Sequence, residues 1–67
     1  MIKILLNGTE TDIKAQTVLA LIEELELDVK KVAIERNLEI VPKSAYLATA
    51  LSDGDRLEIV HFVGGGA

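Results

Sequence analysis

Asn7-Gly8 constrains this chain more than any other pair of its residues. It separates the strand-like runs Ile2–Leu6 and Thr9–Ile13, and a two-residue type I′ turn needs positive φ at both central positions, which Asn-Gly supplies with little strain. The two runs are therefore expected as the antiparallel strands of a hairpin. By period two, Ile2, Ile4 and Leu6 face one way with Thr11 and Ile13, which leaves Lys3, Leu5, Glu10 and Asp12 on the other face.

Beyond the hairpin the period changes. Val18, Leu19, Leu21, Ile22 and Leu25 trace a helical stripe with Glu23, Glu24 and Glu26 mostly off it, Thr17 stands at the N-cap, and the helix is expected to fade near Leu27-Asp28, where no glycine stops it. Val32–Arg36 reads as a third strand, Asn37-Leu38 as a turn, and Glu39-Ile40-Val41 as a short strand ended by Pro42. Lys43–Leu47 fits one helical or 3₁₀ turn, and the polar cluster Ser52-Asp53-Gly54-Asp55 launches a last strand from Arg56 to Phe62. The order β-β-α-β-β predicts a two-layer α+β domain: a mixed sheet, first and last strands adjacent and parallel at its centre, packed on one face by a single helix. Its expected core is Ile4, Leu6, Ile13, Val18, Leu21, Ile22, Leu25, Ile34, Leu57 and Ile59.

Sixty-seven residues allow one domain, and a chain this short buries only about 60% of the surface its unfolded form exposes. A composition 49% apolar and 27% charged, with one proline, still calls for a packed core rather than disorder. The absence of cysteine excludes disulfides, thiolate metal sites and a cysteine nucleophile. Eleven acidic against seven basic residues, net −4, would repel a nucleic-acid backbone or an anionic membrane and favour a basic protein surface as partner. The apolar run at the N-terminus reaches Asn7-Gly8 too soon for a signal peptide or a membrane span, so a cytoplasmic location is expected.

No catalytic constellation emerges. His61 stands alone and reads as a packing residue, and Glu23-Glu24 and Asp53/Asp55 are accounted for by helix and turn positions. Gly64-Gly65-Gly66 is followed by Ala67 rather than by a helix, so it is no phosphate loop. The chain is expected not to be an enzyme, with no bound cofactor and no metal site. What the glycines do predict is a flexible tail, residues 64–67, after a domain spanning residues 1–63. Three residues without side chains can thread a passage too narrow for Cβ atoms, and four extended residues past Val63 reach roughly 13 Å. Just ahead of that tail both parities of the last strand are apolar, Leu57 and Ile59 on one, Val60 and Phe62 on the other. If the first faces the helix, Val60 and Phe62 lie on the uncovered sheet face, joined by Leu5 of the neighbouring strand, and form a docking surface beside Gly64.

The run Asp53–Gly66, with Ile4-Leu5-Leu6-Asn7-Gly8, Gln16-Thr17-Val18, Glu35-Arg36-Asn37 and Ile40-Val41-Pro42, resembles the ThiS family over the whole chain. These are ubiquitin-like, β-grasp sulfur carriers of thiamin thiazole synthesis, and the terminal His-Phe-Val-Gly-Gly-Gly is the most specific part of the resemblance. It implies a carrier whose C-terminal glycine carboxylate is adenylated by an E1-like enzyme at the expense of ATP, converted to a thiocarboxylate, and relieved of its sulfur by thiazole synthase. The family pattern ends in glycine, whereas Ala67 follows Gly66 here. Either a peptidase removes Ala67 to leave Gly66, with Gly65 behind it, as the sulfur-bearing terminus, or Ala67 is itself activated, or the chain is a variant. Carriers similar to ThiS but trimmed by one residue supply sulfur for homocysteine and methionine synthesis. A β-grasp interaction module without sulfur, and a small subunit of the molybdopterin-synthase kind, are the remaining readings.

Overall fold

The computed structural model describes residues 1–62. The tail residues Gly64, Gly65, Gly66 and Ala67, and the boundary drawn after Val63, lie outside them. The Asn-Gly hairpin forms as its sequence requires: β1 (Ile2–Leu6) pairs antiparallel with β2 (Thr9–Ile13), Leu6 opposite Thr9 and Ile2 opposite Ile13. Asn7 and Gly8 take φ of 47° and 85°, a type I′ turn. The second hairpin, β3 (Val32–Arg36) with β4 (Glu39–Val41), closes in the same way through Asn37 and Leu38 at φ 53° and 72°.

The last strand, β5 (Arg56–His61), enters between the hairpins, parallel to β1 and antiparallel to β3, giving a five-stranded mixed sheet in the order β2-β1-β5-β3-β4. Both turns grip β5 with an asparagine. The Asn7 amide donates to the Leu57 carbonyl at 2.8 Å and its side-chain oxygen accepts from the Ile59 amide at 2.7 Å. On the opposite flank the Asn37 amide donates to the Arg56 carbonyl at 2.8 Å, and its side-chain oxygen accepts from the Arg56 amide at 2.9 Å. A sequence element that reverses the chain thus also fixes the central strand.

Helix α1 (Val18–Glu24) lies over one sheet face and buries Val18, Leu21 and Ile22 against Ile4, Ile13, Ile34 and Leu57. Its first amides have no partner within the helix and find one elsewhere. Thr17 caps Ala20 through its hydroxyl at 3.1 Å, while the Val18 and Leu19 amides donate to the carbonyls of Thr49 and Tyr46, each at 3.0 Å. Those bonds draw residues 43–51 over the end of the helix and bury Tyr46 and Leu51 in the core. The Glu24 carboxylate accepts from the Lys14 and Ala15 amides, so it closes the β2–α1 connection rather than doing acid–base work.

Of the expected core, Ile4, Ile13, Val18, Leu21, Ile22, Ile34 and Leu57 are buried, and Leu6, Leu25 and Ile59 are partly buried against them. The helix stops earlier than its apolar stripe predicts. Glu26 enters the left-handed region at φ 59°, and the Leu27 and Glu26 amides return to the carbonyls of Ile22 and Glu23, a Schellman ending built without glycine. Asp28 then caps a 3₁₀ turn, Val29–Lys31, that leads into β3.

Candidate functional site: the end of the last strand and the open sheet face

Strand β5 is set up by a buried carboxylate. Asp55, only 7% exposed, accepts from the Ser52 amide at 2.8 Å, from Arg36 Nε at 2.9 Å and from the Asn37 side chain at 3.2 Å. Burial works against its charged form, but the Ser52 amide, the Asn37 amide group and the Arg36 guanidinium together outweigh it and hold the carboxyl below the usual carboxylate range. Asp53 in turn accepts from the Lys3 amide at 2.8 Å. Both turn carboxylates are therefore occupied in fastening the loop ahead of β5 to its neighbours.

Leu57 and Ile59 point to the helix, so Glu58, Val60 and Phe62 take the open face. Val60 is 58% and Phe62 48% exposed. Val60 lies directly across from Ala33, Glu58 from Glu35, and Glu35 from Ile40 on β4. Ala33, Glu35, Ile40, Glu58 and Val60 line one shallow apolar groove with a carboxylate on each strand flanking its axis. Leu5 shares the face but not the groove. It stands level with Arg56, four residues before Val60, which at about 3.3 Å per residue is roughly 13 Å away. It lines a separate hollow with Lys3, Glu10 and Gly54. Between the two lie Arg56 and Glu58, paired at 3.8 Å. Leu5 and Val60, expected from parity to adjoin, thus line separate hollows of the same face, because parity fixes the face but not the stagger between β1 and β5.

Ile40, 75% exposed, completes the groove and was not among the residues singled out from the sequence. The signal existed: alternation lets only one of Ile40 and Val41 face the core, and Val41 is the buried one. His61 is exposed rather than packed. It stands opposite the fully buried Val32, as the last residue of β5. Among the described residues, no three His, Asp or Glu side chains gather as a metal site would require, and no helix is long and apolar enough to cross a membrane.

Residues 4–66 match the model of the ThiS family. Over 63 residues the chain is 44% identical to the sulfur carrier protein ThiS of Bacillus subtilis, covering 91% of this chain and 96% of that one. It is 58% identical over 66 residues to a thiazole synthase of Paramagnetospirillum magneticum, covering 97% of this chain but only 20% of that protein's length. Among solved structures, the thiamine biosynthesis protein ThiS of Geobacter metallireducens superposes with a TM-score of 0.83 at 29% identity, covering 97% of this chain and 100% of that one. With its two hairpins flanking a central strand and one helix across the sheet, the chain belongs to the ThiS family, with its β-grasp fold.

Proposed function

We propose that this chain is the sulfur carrier of thiazole formation in thiamine biosynthesis, with Gly66 as the carrying residue. The bond between Gly66 and Ala67 is cut by a peptidase. The freed carboxylate then attacks the α-phosphorus of ATP on an E1-like enzyme, which releases pyrophosphate and leaves an acyl adenylate. A sulfide-equivalent nucleophile attacks the acyl carbon and expels AMP, so the terminus becomes a thiocarboxylate whose sulfur passes to a thiazole synthase. ATP is consumed by the activating enzyme and is not held by the carrier.

The observation that carries this reading is the placement of exposed Val60 and Phe62 at the end of the central strand, with one residue, Val63, between Phe62 and Gly64-Gly65-Gly66 in the sequence. An apolar handle beside a side-chain-free segment suits a protein that must be held while its end reaches a buried nucleotide. The likeness to the Bacillus subtilis carrier over nearly its full length supports it. The presence of a similar segment within proteins named thiazole synthase supports the proposed acceptor. Leu5, Val60, Phe62 and Gly64 are assigned to contacts with the activating enzyme.

The test is the intact mass of a chain ending at Gly66 after incubation with an E1-like enzyme, ATP and sulfide. Exchange of one terminal oxygen for sulfur is the expected result. An unchanged mass, with the enzyme active on another ThiS carrier, would overturn the reading.

A further inference from the structure

Strand β1 ends at Leu6, opposite Leu57, while β5 continues to His61. Where β1's backbone stops, the Asn7 side chain takes over its hydrogen bonding. The oxygen accepts from the Ile59 amide at 2.7 Å, and the nitrogen donates to the Ile59 carbonyl at 3.2 Å. One side-chain amide thereby satisfies both main-chain groups of a single β5 residue, as the backbone of a longer β1 would. Beyond Ile59, among the described residues, β5 is held from the β3 side, through the pairs Val60 with Ala33 and His61 with Val32 and the Phe62 amide donating at 2.7 Å to the carbonyl of Lys31 in the turn ahead of β3. Ile59 is the last described residue of β5 with a hydrogen-bond partner on the β1 flank.

We propose that Asn7 is a positioning residue for the carrier reaction, fixing the heading of β5 at Ile59 and hence the point, at Phe62, from which the C-terminal glycines are presented to the activating enzyme. The inference rests on the carrier reading above. Phe62 is three residues beyond Ile59, about 10 Å along the strand, so a tilt of about 5° at Ile59 displaces the point from which the tail departs by about 1 Å. Reaction rates fall on the order of 10²-fold for misplacements of about 1 Å when the enzyme cannot correct them. Asparagine suits the position twice, because it tolerates the left-handed φ of 47° and its amide offers donor and acceptor together. Neither glycine nor alanine could supply the second feature.

Asn7→Gly removes the clamp and keeps the backbone unstrained, and Asn7→Asp keeps the acceptor for the Ile59 amide. Adenylation by an E1-like enzyme with ATP is measured on chains ending at Gly66. Asn7→Gly is expected to lower kcat about tenfold, with KM for the carrier changed less than about twofold, and Asn7→Asp to recover most of that loss. Hydrogen exchange in the isolated chain gives a second readout. The Ile59 amide should exchange about tenfold faster in Asn7→Gly, while the Leu21 amide in the helix is unchanged. A merely structural role would slow neither saturated turnover nor spare Leu21. Wild-type kcat in Asn7→Gly, or an unaltered Ile59 amide, would overturn the proposal. If the wild-type chain itself is not adenylated, the carrier reading fails and the delivery role with it, a result distinct from a wild-type rate that Asn7→Gly leaves untouched.

Discussion

Among the described residues, four other than glycine hold positive φ, namely Asn7, Glu26, Asn37 and Leu38, and they divide by whether the residue gives anything in return. Asn37 returns three hydrogen bonds, through its amide, oxygen and nitrogen, to Arg56 and Asp55. Leu38 returns little, since it is 70% exposed at φ 72°. A left-handed non-glycine residue costs roughly 1–2 kcal/mol. Leu38→Gly removes that cost while adding freedom to the unfolded chain, so a net gain of up to about 1 kcal/mol is expected. It should appear as a higher urea midpoint at unchanged slope, and a lower midpoint would mean that the Leu38 side chain packs more than its exposure indicates. Asp55 is the opposite case, a charge whose partners are all in place. Asp55→Asn should cost about 1.5–3 kcal/mol at neutral pH, because bonds to a charged acceptor are lost in a buried setting. The pH dependence has a definite sign. The folded carboxyl titrates below its ordinary 3.8, so its contribution is fully present above that value and is lost as pH falls through the folded pKa. Stability curves of wild type and Asp55→Asn should accordingly converge in acid, and a constant gap from neutral pH down to strong acid would show that the charge is not what Asp55 contributes.

Elements whose start or stop depends on a side chain's own chemistry were legible in the sequence. The Asn7-Gly8 turn, the Thr17 cap and the alternation of β5 fix both hairpin geometry and which face of the sheet is buried. What was illegible depends on partners distant in sequence. The end of α1 escaped because Glu26 takes a backbone conformation usually reserved for glycine, stabilised by bonds back to the helix. Tyr46 and Leu51 sit in a segment without periodicity, and their burial follows from carbonyls offered to the orphan amides of α1. The candidate site shows the same division, since Val60 and Phe62 were readable by parity while Leu5's separation from them and Ile40's membership follow from inter-strand stagger. The residues that parity did assign permit a test at the level of this face. Phe62 is 48% exposed and follows the last strand residue, so Phe62→Asp should leave the circular dichroism spectrum and unfolding midpoint nearly unchanged. An unpaired carboxylate driven into an apolar interface costs several kcal/mol, so adenylation efficiency should fall by about 10²-fold or more. Normal activation of the folded variant would remove Phe62 from the docking surface.

At the scale of the whole molecule, the sheet is a device for holding one strand still. β5 has neighbours on both sides, two asparagine-bearing turns fasten it, and a buried carboxylate anchors its start. The consequence of so rigid a mount is that the domain itself cannot absorb a residue too many between Phe62 and a reacting carboxylate. A carboxylate on Ala67 instead of Gly66 stands about 3.3 Å further along the chain, and a Cβ enters a passage expected to admit only glycine. Both effects oppose attack on the nucleotide, and misplacement of about 1 Å already costs on the order of 10²-fold. A chain of residues 1–66 should therefore be adenylated at least about 10²-fold faster than one of residues 1–67 by the same purified enzyme with no peptidase present. The Asn7→Gly variant sharpens the comparison. If the mount sets the reach, loosening it should narrow the difference between the two lengths, because a less directed strand positions both ends poorly. Equal rates for the two wild-type lengths would mean that the enzyme tolerates Ala67 and that removal of the residue is not what switches the carrier on.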